Sequence, residues 1–153
     1  MRPNGSPPDV SLTVREASEG DLDVVARLLE ELHDPPTVVV DALAWRSMLS
    51  QLKRTILIAE IDGEPAGTAD LMVLPNLTNG ALPRANVENV AVAAWCRRRG
   101  VGRALMAEVE RRAVEAGCYK IMLMSALHRT GAHRFYQEIG YERVAEGFRR
   151  SLA

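Results

Sequence analysis

Residues 86–104 read NVENVAVAAWCRRRGVGRA. The first eight of them, 86–93, are rich in valine and alternate apolar with polar side chains, which predicts a strand. Past the glycines, Val101, Leu105, Val109 and Ala113 fall on one stripe, which predicts a helix over 101–115, and Gly117 is a natural stop for it. Between the two lies a basic turn, Arg97-Arg98-Arg99-Gly100-Val101-Gly102-Arg103-Ala104. A strand, a glycine-containing turn and a helix N-terminus together supply unpaired amides, a positive dipole end and side-chain cations, the combination a pyrophosphate requires. Glycine lets the backbone come close to such a ligand. The turn lacks the GxxxxGK[ST] spacing of nucleotide triphosphatases and the three glycines of the dinucleotide fingerprint. Taken alone, it also reads as an ordinary helix start beside solvated arginines.

Outward from this unit, residues 11–17 alternate through Leu12 and Val14 as a first strand. Ser18 is a plausible N-cap for an amphipathic helix carrying Leu22, Val25, Leu28, Leu29 and Leu32, ended by Pro35 and Pro36. A weaker helix is predicted over 38–52. Residues 55–61 and 66–74 form a hairpin around Asp62-Gly63, and residues 75–83 a loop. On the other side, residues 119–127, YKIMLMSAL, read as a strand apolar enough to be buried on both faces. A helix over 130–139 ends at Gly140, and residues 141–152 supply one or two closing strands. The order β-α-α-β-β-β-α-β-α-β predicts an α/β fold, a mixed sheet with helices on both faces and a topological switch point where a ligand can bind.

The length of 153 residues fits one domain, expected over 11–153, after a proline-rich, polar N-terminal stretch, residues 1–10, expected to be a flexible tail. A hydrophobic fraction of 47% and a charged fraction of 25% exclude a disordered or fibrous chain. No apolar run reaches membrane-spanning length and no secretory h-region is evident, so a cytoplasmic location with no membrane partner is expected. Cys96 and Cys118 have no metal-ligand spacing, and neither do His33, His128 and His133, so no metal is expected. The net charge of −1 gives no support to nucleic-acid binding, but it is the sum of opposed halves. Residues 1–96 hold 7 Lys and Arg against 14 Asp and Glu, and residues 97–153 hold 12 against 6. The second part suits a polyanionic small molecule.

Arg97-x-x-Gly100-x-Gly102, preceded by Val87-Glu88-Asn89-Val90-Ala91-Val92 and followed by Ala132-His133-Arg134-Phe135-Tyr136 and Gly140-Tyr141, resembles the GCN5-related N-acetyltransferase (GNAT) superfamily. The resemblance runs from about residue 12 to residue 152. It implies the GNAT fold, acetyl-CoA as donor and an amine as acceptor. It implies that Val90, Ala91 and Val92 hold the pantetheine arm through their backbone, and that Arg97, Arg98, Arg99, Gly100, Val101, Gly102, Arg103 and Ala104 wrap the pyrophosphate. Ser125, His133 and Phe135 complete the implied cofactor set. Glu88 resembles the base position of many relatives, and if Val87 faces the core, alternation turns Glu88 toward the opposite face. Tyr136 resembles the tyrosine beside the cofactor sulfur and carries one transferable phenolic proton. A salt-bridged glutamate and a core tyrosine are the structural alternatives. Cys96 has no histidine paired with it in sequence, so an inert loop thiol is favoured over an acyl-cysteine.

Within the superfamily, Glu88 to Val92, Gly117 to Ile121, Phe135-Tyr136 and Phe148-Arg149-Arg150 look most like glucosamine-6-phosphate N-acetyltransferases, dimers that share C-terminal strands. Asn89 departs from the aspartate common in that subgroup, and residues 35–52 give no clear match. The expectation is therefore direct acetyl transfer in a ternary complex to a small-molecule amine, an amino sugar phosphate being one option, by a homodimer. A protein or peptide acceptor, and a non-catalytic acetyl-CoA sensor or assembly module, are the alternatives.

Overall fold

The computed structural model describes residues 10–32 and 38–152. The expected tail, Pro35 and Pro36, and His33 lie outside the described residues, apart from Val10, which is exposed. Nine α-helices and β-strands appear among the described residues: β1 (Leu12–Glu16), α1 (Leu22–Leu29), α2 (Ala42–Leu49), β2 (Arg54–Ile61), β3 (Glu64–Leu74), β4 (Arg84–Val92), α3 (Val101–Glu115), β5 (Ile121–Leu123) and α4 (Thr130–Glu138). The strands form one sheet in the order β1-β2-β3-β4-β5, antiparallel up to β4 and parallel between β4 and β5. The predicted mixed α/β architecture and the order of its elements as far as α4 agree with this.

Local chemistry accounts for several element ends. Asp21 closes the turn before α1, its carboxylate accepting from the Ser18 backbone N–H at 2.7 Å. The second helix starts at Ala42, four residues later than predicted, because Asp41 caps it by accepting from the Leu43 and Ala44 amides, both at 2.9 Å. Asp62 and Gly63 both take positive φ, 52° and 82°, the conformation a two-residue hairpin turn between β2 and β3 requires.

The sheet separates two apolar layers. On one face α3 packs Val101, Leu105, Met106 and Val109 onto Leu57, Ala59, Ala69, Leu71 and Val87, with Phe135 and Tyr136 of α4 and the following Ile139 alongside. On the other, Val25 of α1 and Trp45 of α2 cover Ile56 and Ile58. Trp45 also donates its indole N–H to the Glu19 carbonyl at 3.0 Å, which satisfies the polar atom of a buried ring. Gly67 on β3 marks the closest approach of sheet and helix: a Cβ there would lie 2.8 Å from the Ala91 carbonyl oxygen and 2.9 Å from Val101 Cγ1.

Two expectations at the C-terminal end need correction. The strand predicted over 119–127 as doubly buried is only Ile121–Leu123, half-buried at the sheet's edge. Its partner β4 carries a bulge after Glu88 that ends their pairing at Val87 and Leu123, and Met124 and Leu127 are exposed. The closing strands predicted over 141–152 do not form; those residues hold no helix or strand, and Val144, Phe148 and Leu152 stand exposed. With no partner along that segment among the described residues, its apolar alternation has no sheet to join.

Candidate active site

The bulge in β4 shapes the candidate site. On its β3 side, Asp70 pairs with Glu88 and Thr68 with Ala91, so three steps on β4 face two on β3. Asn89 absorbs the extra residue at φ 54°, in the left-handed region that asparagine tolerates better than most side chains. On its β5 side, pairing stops at Val87. Residues 88–92 therefore present a backbone edge with no partner strand among the described residues. Such an edge can take an extended amide-bearing ligand as though it were another strand.

Beyond β4, the chain makes a short 3-10 turn over Ala94–Cys96 and enters the basic segment. Arg98 and Gly100 both have positive φ, 63° and 82°, and Gly100 is the N-cap of α3. No side chain caps this helix and its first turn carries no acidic residue, so its leading amides face outward beneath a positive dipole end. Arg98 and Arg103 are exposed and make no ion pair among the described residues. Arg99 lies over the Trp95 ring, 5.7 Å from its centroid. Arg97 is bound differently: its Nη2 donates to Glu31 Oε2 at 2.9 Å, while Glu31 Oε1 accepts from the Ala94 amide at 3.1 Å.

The two glycines divide the work. Gly100 is needed for its left-handed backbone, whereas Gly102 makes room for a ring: a Cβ there would sit 3.1 Å from Phe135 Cζ. Phe135, expected at the cofactor, thus packs on the first turn of α3 and ties α4 to it. Tyr136 follows it on α4, half-buried, edge-on to Phe135 at 5.2 Å and to Tyr141 at 5.9 Å. Burial pushes the Tyr136 phenol up and Arg129 pulls it partly back, so it keeps its proton at neutral pH. Ser125 is half-buried just past β5, and His133 half-buried in the first turn of α4.

Val87 is buried and Glu88, the next residue, is exposed on the opposite face, where Asn86 Nδ2 donates to its Oε1 at 3.2 Å. Beside Glu88 in the register stands Asp70, only 2% exposed, held by the Arg54 guanidinium through Nε, 3.0 and 3.2 Å from its two oxygens, and through Nη2. Sequence reasoning passed over this pair, although an aspartate inside an otherwise apolar strand was a visible signal. Glu31 left no signal, because only the fold brings it 66 residues down the chain to Arg97.

Cys96 is fully buried, its Sγ 3.3 Å from the carbonyl oxygens of Ala66 and Ala93. Burial pushes its thiol up, away from the thiolate a nucleophile needs, in keeping with an inert structural thiol.

The chain matches the acetyltransferase (GNAT) family over residues 25–141. It is 28% identical over 137 residues to the glucosamine 6-phosphate N-acetyltransferase of Trypanosoma brucei brucei, covering 86% of this chain and 90% of that one. A solved protein of Agrobacterium tumefaciens str. C58 superposes with a TM-score of 0.85 at 33% identity, over 91% of this chain and 99% of its own. The same fold recurs, at 24% identity and a TM-score of 0.83, in an aminoglycoside N-acetyltransferase solved in complex with CoA, over 97% of this chain and 99% of that one. No helix among the described residues is long and apolar enough to cross a membrane.

Proposed function

We propose, for a chain that belongs to the GNAT acetyltransferase family and is an acetyl-CoA-dependent N-acetyltransferase, that its acceptor is the primary amine of a small molecule, acetylated by direct transfer in a ternary complex. The observation that carries this reading is the junction of the open β4 edge with the uncapped start of α3. One can pair with the amides of a pantetheine arm; the other can hold two phosphates. Acetyl-CoA supplies an activated acyl group with a thiolate leaving group.

The chain's own residues divide the remaining chemistry. Backbone amides of Val90, Ala91 and Val92 line up the donor, and the Val90 N–H faces the oxygen where negative charge develops. The amides of Val101, Gly102, Arg103 and Ala104 and the side chains of Arg97, Arg98, Arg99 and Arg103 hold the phosphates, Gly100 shaping the turn; Ser125, His133 and Phe135 border the donor. Glu88 takes the proton of the acceptor ammonium, directly or through one water, freeing the lone pair that attacks the acyl carbon. Tyr136 gives its phenolic proton to the departing sulfur and is restored by the second proton that the nitrogen loses as the amide forms, while the first passes from Glu88 to solvent, so the transfer releases one proton overall. Most of the acceleration then comes from holding amine and thioester in contact.

Among amines, an amino sugar phosphate is the preferred acceptor. The 28% identical relative supports it, as does the arginine pair Arg149 and Arg150, which offers a phosphate two guanidinium groups. The enzyme acts as a cytoplasmic homodimer. The unpaired outer edge of β5 and the exposed Val144, Phe148 and Leu152 are what a second copy would cover. Initial rates of CoA release with glucosamine 6-phosphate, aminoglycosides, polyamines, amino acids and an N-terminal peptide test the acceptor. The sugar phosphate is expected to give the highest kcat/KM, and a peptide outpacing every small amine would overturn the assignment.

A further inference from the structure

Glu31 contacts the cofactor turn at two points. One carboxylate oxygen accepts the Ala94 amide at 3.1 Å, just before the basic segment, and the other holds Arg97 Nη2 at 2.9 Å. The carboxylate comes from the turn Glu30–Leu32 that follows α1, far from Arg97 along the chain. The Arg97 side chain is 60% exposed and that of Glu31 31%, which leaves the guanidinium reachable from solvent while its anionic partner stays partly sheltered. Arg97 has one strong donor face already committed to an anion of the chain's own.

We infer that Glu31 is a positioning residue that competes with the cofactor's pyrophosphate for Arg97. The inference rests on the assignment of Arg97 to the phosphates made above. When the donor arrives, Arg97 exchanges a carboxylate for a phosphate oxygen, and Glu31 keeps its bond to the Ala94 amide. When CoA leaves, the carboxylate is in place to take Arg97 back. Affinity for the donor is therefore set below what the turn alone would give, and the product is released more readily. Because an exposed ion pair is worth little, the effect is a few-fold and not orders of magnitude.

Glu31→Gln isolates this competition, since the amide oxygen can still accept from Ala94 while the charge on Arg97's partner is gone. Calorimetry with CoA is expected to show about threefold tighter binding for the variant, with a matching fall in KM for acetyl-CoA and no rise in kcat. Acetyl-pantetheine, which has no pyrophosphate, should be used equally by both proteins. In an Arg97→Gln background the gain from Glu31→Gln should vanish, as a double-mutant cycle requires of two residues that act through each other. Unchanged or weaker CoA binding by Glu31→Gln would mean that the carboxylate only staples the turn, and the inference would fall. It would fall equally if the gain persisted without Arg97, which is the signature of general charge repulsion. If Arg97→Gln alone left CoA affinity unaltered, the assignment of Arg97 to the phosphates would fail, a result separable from either of these.

Discussion

Tyr136 is the proposed acid for the departing thiolate, and its setting allows a clean substitution. The ring is held by Phe135 and Tyr141 through edge contacts that a phenylalanine reproduces, while the hydroxyl is lost. Tyr136→Phe is expected to lower kcat by about a hundredfold with CoA affinity within twofold of wild type, as steady-state rates and calorimetry would show; an unchanged kcat would remove it as the acid. Glu88→Gln should lower the rate most on the acidic limb of the pH profile. Acid stability is decided elsewhere, by carboxylates that the fold keeps ionised and unfolding lets protonate. Arg15 holds Asp21 well below the usual carboxylate range, and Arg111 with Arg112 brings Glu108 down to about 2. A depressed carboxyl contributes stability that is complete above about pH 4 and is lost as pH falls through the folded value. Asp21→Asn should therefore cost about 2 kcal/mol at pH 7, and the difference in denaturant midpoints should shrink toward pH 2. At this scale the sequence was readable where one residue type does one job, as with Asp62-Gly63 as a turn and the glycine-containing turn that starts α3; the cap expected at Ser18 precedes only the short 3-10 turn, and Asp21 is the N-cap of α1 itself. The sequence was silent wherever a partner arrives through the fold, as Glu31 does at Arg97 and Phe135 at Gly102.

Among the elements, α3 is the one whose seating fixes the site, because it touches the sheet at Gly67 and α4 at Gly102. The two contacts differ in what must give way. A methyl on Gly67 meets a backbone carbonyl at 2.8 Å and buried Val101 and Leu105 at 2.9 and 3.1 Å, none of which is free to move. A methyl on Gly102 meets only the tip of a half-buried ring at 3.1 Å. Gly67→Ala is expected to destabilise by about 3 kcal/mol and Gly102→Ala by less than about 1 kcal/mol, the penalties of a rigid and a yielding overpacked site; chemical denaturation checks both. Equal losses would contradict the distinction. The helices and the β2–β3 hairpin were legible because their apolar periodicities are long and their caps local. For β5, an apolar run cannot tell a strand buried on both sides from a short edge strand. Its length is set by the bulge in β4, where Asn89 turns the neighbouring chain away, and nothing in residues 119–127 encodes that event.

For the whole molecule, the near-neutral charge hides a division that the fold gives a location. Part of the basic excess of residues 97–153 is answered by ion pairs, Arg111 and Arg112 with Glu108, Glu115 and Glu16, and the arginines without an ion pair among the described residues include Arg98 and Arg103 at the start of α3. The acidic first part includes α1, α2 and β4 with Glu88, and we propose that it favours a cationic acceptor. Removal of residues 142–153 should convert the proposed dimer to a monomer in sedimentation, because Val144, Phe148 and Leu152 leave with it; an unchanged sedimentation coefficient beyond the lost mass would deny that segment a role in assembly. In the proposed arrangement the β4 edge and the α3 N-terminus together present acetyl-CoA to a small amine. A single-turnover experiment decides this, mixing the protein with one equivalent of acetyl-CoA and an excess of glucosamine 6-phosphate or another amine of the panel and quantifying both products. Equal amounts of free CoA and acetylated amine, with neither formed when the acceptor is omitted, are predicted. Tight binding of acetyl-CoA with no amine of the panel acetylated would contradict it.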